Sequence, residues 1–166
     1  EERHEPHRDF RFRYFQHTIH SILGTMRIYE LHANDANMAD IVYRELSYRI
    51  TGVCFRAHRE LGRFARERQY ADRMEALFQE DGIPYAREFD LHQLDQQLPT
   101  GNRVDFFING RIVMECKAKP FITKEDYVQV QRYLQAAQCR LGLLINFRNT
   151  YLKPIRVLNN AAATIP

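Results

Sequence analysis

The stretch "RVDFFINGRIVMECKA", residues 103–118, decides how this chain is read. Two short apolar runs flank Asn109-Gly110, and Asn and Gly tolerate the positive φ that a tight hairpin turn demands. The hairpin nonetheless carries Asp105, Glu115 and Lys117. Charged side chains are seldom buried unless they are paired or bind an ion. The face on which the three lie therefore matters.

Side chains alternate along a strand, and directly paired residues of an antiparallel hairpin point to the same side. A strict two-residue Asn-Gly loop pairs Ile108 with Arg111, sets Asp105 opposite Met114 and splits the two acids across the sheet. A shift of one residue flips every side chain. A three-residue loop, for instance Ile108-Asn109-Gly110 with Gly110 left-handed, makes all three charges cofacial. It also gathers Val104, Phe106, Ile108, Ile112, Met114 and Cys116 into one apolar face. Burial and charge favour the same register, so the expectation is a bulge in the loop or within a strand.

Carboxylates that converge in this way repel, and both stay ionised only with a cation between them. Hard oxygen ligands select Mg²⁺, Mn²⁺ or Ca²⁺ over metals of softer sites. The backbone carbonyl of Cys116, between Glu115 and Lys117, could add a ligand. An ammonium beside the metal can orient a water or stabilise developing negative charge. This is the equipment for metal-assisted hydrolysis of a phosphodiester. The bland alternative is two surface carboxylates on an edge hairpin, with Lys117 as their salt-bridge partner.

Around the hairpin, a length of 166 residues with 45% hydrophobic and 27% charged residues predicts one ordinary globular domain. No apolar run approaches the roughly 20 residues of a membrane span, and no compact apolar stretch marks a secretory leader. Cys54, Cys116 and Cys139 are odd in number and far apart. Two of them, Cys54 and Cys116, lie within apolar patterns, which reads as buried free thiols in a reducing compartment and predicts a cytoplasmic protein. The net charge of +3 is compatible with a nucleic-acid partner without arguing strongly for one.

Residues 1–37 are rich in His, Arg and aromatics and lack sustained periodicity, so they read as a loosely ordered arm. His4, His7, His17 and His20 form two H-x-x-H pairs, but no Cys or carboxylate framework supports a zinc site. The patterned domain spans residues 38–166. From Ile41, Val42, Leu46, Ile50, Val53, Cys54, Ala57 and Leu61 form one helical stripe that Gly62 ends. A second helix is expected from about Arg66 to Glu80. Strands follow at "PYAREFDL" and in the two hairpin halves. Thr123, with Asp126 after it, predicts a helix start, the helix running to about Gln138. "LGLLINF" reads as a strand buried on both faces and parallel to its neighbour, and "KPIRVL" as a weaker final strand. The order is α-α-β-β-β-α-β-β, a mixed sheet flanked by helices.

Asp105, then Glu115, one residue and Lys117, resembles the D…E-x-K signature of the PD-(D/E)XK nuclease superfamily. "LGRFARERQYADRMEALFQEDGI" resembles the helix that names the GxxExxY family, a nuclease-like branch, with Glu67 and Tyr70 in the E-x-x-Y places. "YVQVQRYLQAAQCRLGLLINF", with Gln129 four residues before Tyr133, resembles that family's later helix and strand. The resemblance covers residues 38–160. Phe64 stands in the Gly place of the family name, three residues before Glu67, and Val104 replaces the Pro of the superfamily's name.

The resemblance implies a restriction-endonuclease-like α/β fold and hydrolysis of nucleic-acid phosphodiesters with Mg²⁺ or Mn²⁺. Asp105 and Glu115 would hold the metal with the Cys116 carbonyl, Lys117 would position or activate water, and Glu67 would assist. Glu67 shares a helical face with Tyr70, Ala71 and Met74 and is expected to point inward, toward the metal or toward Arg66, Arg73 or Arg87. Gln129, Lys119 and Tyr70 are expected to touch nucleic acid or a water; equally, Gln129 is a polar helix-face residue and Tyr70 a core residue. Arg63, Arg66, Arg68, Arg73, Lys117, Lys119, Lys124 and Arg132 are expected to border one cleft. A nucleic-acid binding or scaffolding module without turnover is the competing class, and a hydrolase of smaller phosphate esters a third.

Overall fold

A computed structural model describes residues 42–94, 96–98 and 100–162. The readings of residues 1–37 lie outside them. Helices α1 (Arg44–Leu61) and α2 (Glu67–Glu80) come first, then β1 (Tyr85–Asp90), β2 (Arg103–Ile108) and β3 (Ile112–Lys117). Helix α3 (Lys124–Ala136), β4 (Leu141–Asn146) and β5 (Ile155–Leu158) complete the order expected from sequence. The five strands form one sheet in chain order. Every neighbouring pair is antiparallel except β3 and β4, which run parallel across the α3 crossover.

Each helix follows from its stripe and its ends. On α1, Ile50, Val53, Cys54 and Ala57 are buried, and Gly62 closes the helix at φ 67 with its amide on the His58 carbonyl. On α2, Tyr70, Met74, Leu77 and Phe78 are buried, while the Gln69 side chain accepts the Arg66 amide at the start. For α3, the Asp126 carboxylate reaches back to the Thr123 amide (2.7 Å), and the helix ends at Ala136, two residues before the expected Gln138.

Parity sorts the sheet into two faces. Phe106, Ile108, Ile112, Met114, Cys116, Leu141, Leu143 and Ile145 pack into one core with the buried sides of α1 and α2. The opposite face carries α3, which rests on β4 at Gly142, where a Cβ would meet Val130 at 2.5 Å and Leu134 at 3.4 Å. All six residues of β4 are buried, as a strand covered on both faces requires.

The hairpin reconciles the two demands its sequence makes. Asn109 (φ 50) and Gly110 (φ 64) are both left-handed, and the Arg111 amide returns to the Ile108 carbonyl at 3.0 Å. Ile108 nevertheless pairs with Ile112, not with Arg111. Arg111 is the extra residue that resets the parity, so the loop is Asn109-Gly110-Arg111, one position later than expected. The turn dipeptide keeps its preferred geometry and the apolar face stays intact.

Gly142→Ala should loosen the seat of α3 without changing the sheet, because the added methyl has no room against Val130. Equilibrium denaturation is expected to show a loss of roughly 1–3 kcal/mol. An unchanged midpoint would mean that α3 is not seated on Gly142.

Candidate active site

Regular pairing of β2 with β3 stops after Phe106–Met114, and beyond it side chains take over from the ladder. The Asp105 amide donates to Glu115 Oε1 (3.3 Å), and the Cys116 amide donates to Asp105 Oδ2 (2.7 Å). Each carboxylate thus accepts from the other strand's backbone. Asp105 and Glu115 share the α3 side of the sheet, as the parity argument required.

Burial makes this arrangement electrostatically tense. Glu115 is only 3% exposed. Desolvation first, and then the charge of Asp105, push its pKa up to about 7. Asp105 is also raised by burial, helped by the charges of Glu67 and Glu88 and opposed by the Cys116 amide and Lys117. Lys117 Nζ lies 3.2 Å from Glu115 Oε2 and 3.2 Å from Gln129 Oε1. Burial works against its charge, but Glu115, Asp105 and Glu67 outweigh burial and hold its pKa above the ordinary value. Gln129 in turn donates to the Tyr133 hydroxyl (2.8 Å), so α3 fixes the ammonium from behind.

The other residues singled out from sequence fall in different places. Glu67 opens α2 and is exposed, with Oε1 accepting the Ala118 amide at 2.8 Å just past Lys117. It does not point into the core: at the first helical position its side chain runs along the end of β3, and Arg73 and Arg87 pair elsewhere. Tyr70 is fully buried, stacked on Phe147 (ring centroids 4.2 Å apart), with its hydroxyl donating to the Gly62 carbonyl. It pins the α1–α2 loop and has no surface for nucleic acid or a catalytic water. Cys116 turns its thiol to the α1–α2 core, where burial holds it protonated, so only its backbone can serve the site.

Lys119 pairs with Asp126 at the start of α3, and Asn146 donates to the Lys119 carbonyl (2.8 Å). Lys124, Gln129 and Arg132 line a groove along α3 with Glu125 and Asp126. Arg73 belongs to the other flank, bound to Glu60 and Glu80, so the expected basic cleft is narrower than the sequence suggested.

Sequence reasoning missed Glu88. It adopts φ 46 in the middle of β1, and the β1–β2 ladder skips the Glu88–Asp105 position between Arg87–Phe106 and Phe89–Val104. A left-handed Glu inside a strand has no local signature, since neither side-chain type nor alternation signals it. The donor set suits a hard cation. Two clustered carboxylates raised by burial and by neighbouring negative charge are the condition a bound divalent ion relieves, and Mg²⁺ takes few protein ligands and keeps waters. Among the described residues no group of three or more His, Cys, Asp or Glu is disposed to hold a metal.

The raised pKa of Glu115 fixes a pH dependence. An acid whose folded pKa lies above its unfolded value supports stability fully below the unfolded pKa, and that support is lost as pH rises through the folded one. In EDTA, the wild type should therefore lose stability relative to Glu115→Gln between about pH 5 and 8, by at most about 3 kcal/mol. Denaturant midpoints of the two proteins test this, and parallel pH curves would show that Glu115 is not strained.

Among the described residues no helix is long and apolar enough to cross a membrane. No curated protein and no solved structure matches the chain. The family model described as the PD-(D/E)XK nuclease superfamily matches residues 44–157, from the start of α1 into β5. Nucleases of this superfamily generally use divalent metals, and the three helices and mixed sheet are consistent with its restriction-endonuclease-like fold. By fold, site position and family match, this chain belongs to the PD-(D/E)XK nuclease superfamily.

Proposed function

We propose that this domain is a metal-dependent nuclease that hydrolyses phosphodiester bonds of DNA or RNA with Mg²⁺ or Mn²⁺. The observation that carries the reading is the cofacial pair of half-buried Asp105 and buried Glu115, each hydrogen-bonded to the opposite strand. These two carboxylates, with the Cys116 carbonyl, would hold the cation. When bound, it would supply Lewis-acid polarisation of the phosphodiester and favour ionised water at neutral pH.

The chain's own groups supply the rest. Glu115 and Gln129 hold the Lys117 ammonium beside the acid pair, ready to orient an attacking water or to meet negative charge developing on phosphate. Glu67, through the Ala118 amide, fixes the backbone that follows Lys117 and adds negative charge at the rim. Lys119, held by Asp126 in the free protein, would meet a phosphate once released. Within the superfamily, Glu67, Tyr70, Gln129 and Tyr133 support the GxxExxY branch, with Phe64 as the departure. Three buried free thiols support a reducing, cytoplasmic setting.

One observation favours the alternative of a binding module without turnover. Asp105 and Glu115 are only two acids, one already paired with Lys117, and no group of three or more His, Cys, Asp or Glu stands ready for a metal among the described residues. Activity separates the readings. Purified protein should cut a DNA or RNA substrate with Mg²⁺ or Mn²⁺ and fall silent in EDTA. Glu115→Gln and Lys117→Ala should each lower the rate by about 10²-fold or more while still binding oligonucleotide. Wild-type rates in Glu115→Gln would remove this site as the catalyst, and binding with no cleavage by wild type would establish the module.

A further inference from the structure

The three loops at the carboxyl ends of β3 and β4 are tied together beside the acid pair. Arg63 in the α1–α2 loop donates to the Thr150 hydroxyl, and Arg148 after β4 donates to the Ala118 carbonyl at 3.0 Å. Ala118 is the residue whose amide Glu67 holds, directly after Lys117. In the middle of this ring of contacts stands Phe64. It is 71% exposed, with the guanidinium carbons of Arg63 and Arg148 at 4.8 and 5.5 Å from its ring centroid.

An isolated exposed aromatic needs no explanation. This one differs in its company. Arg56, Arg73 and Arg87 are committed to carboxylates elsewhere, and Lys117 and Lys119 to Glu115 and Asp126. The hydrogen bonds of Arg63 and Arg148 go to neutral oxygens, a hydroxyl and a carbonyl, and among the described residues neither guanidinium pairs with a carboxylate. Two uncompensated cations held by hydrogen bonds around a ring open to solvent offer phosphate contacts and a stacking face at one point. That combination binds single strands, because an unpaired base leaves its π-face free whereas a base inside a duplex does not.

We propose that Phe64 is a stacking platform for an unpaired base, with Arg63 and Arg148 on the flanking phosphates, so that the site takes single-stranded nucleic acid. The proposal rests on the nuclease reading only for placing the scissile bond near Lys117. It requires one guanidinium to slide from the ring toward phosphate as a base arrives, for which the 71% exposure of Phe64 leaves room.

Fluorescence anisotropy of the full chain in EDTA tests it, with labelled single-stranded DNA, the same sequence in RNA, its duplex, and an abasic strand of equal charge. Phe64→Ala is expected to weaken single-strand binding roughly tenfold or more, leaving duplex binding and melting temperature unchanged. Phe64→Trp should restore it, and wild type should bind the abasic strand as weakly as Phe64→Ala binds the normal one. DNA and RNA arms identify which sugar is preferred. Equal single-strand affinity in wild type and Phe64→Ala, an equal loss for duplex, or undiminished abasic binding would overturn the platform. Selective loss with no cleavage by wild type would keep the platform and reject the nuclease reading. Cleavage abolished by Glu115→Gln but indifferent to Phe64 would do the reverse.

Discussion

Two carboxylates on one side of a buried hairpin are the constraint around which the rest of this domain is arranged. Asp105 and Glu115 repel, lose water and still remain close, because the strands that carry them are fixed by the apolar face behind. Phe106, Ile108, Ile112, Met114 and Cys116 cannot leave the α1–α2 core without exposing the whole stripe. The hydrophobic side of the hairpin thus holds the polar side in a geometry it would not choose alone. Sites in which packing imposes electrostatic tension are characteristic places for chemistry.

Compensation for that tension is local. Each acid accepts a backbone amide from the opposite strand, Lys117 bridges Glu115 to Gln129, and α3 holds Gln129 through Tyr133. The parallel β3–β4 pair sends its carboxyl ends to the same edge, where Glu67, Ala118, Asn146 and Arg148 meet. An open α/β sheet places ligands at such ends because loops from several strands converge there.

Most of the fold was legible in the sequence, since periodicity of 3.6 and 2 marks helices and strands directly. The cofacial acids were also legible, because parity and burial left one register that satisfied both. What was not legible came from contacts between distant segments. Tyr70 falls on the right helical face for a site residue, yet only the Gly62 carbonyl and the Phe147 ring reveal that it is a core pin. Glu67 looked inward on the helical wheel, but a first-turn residue has no helix ahead of it to cover it. Arg73 looked like a cleft residue until Glu60 and Glu80 claimed it. Glu88 was invisible because its left-handed backbone sits at the ladder position skipped opposite Asp105, which neither its side-chain type nor alternation announces.

The proposed function stands or falls with cation binding at the Asp105–Glu115 pair. A Mn²⁺ titration followed by the paramagnetic resonance of free ion, at about pH 8 where Glu115 is ionised, tests it without depending on substrate or turnover. Wild type should remove Mn²⁺ from solution, and Asp105→Asn and Glu115→Gln, both folded, should each abolish that uptake. Uptake that is absent in wild type, or undiminished in both variants, would contradict it.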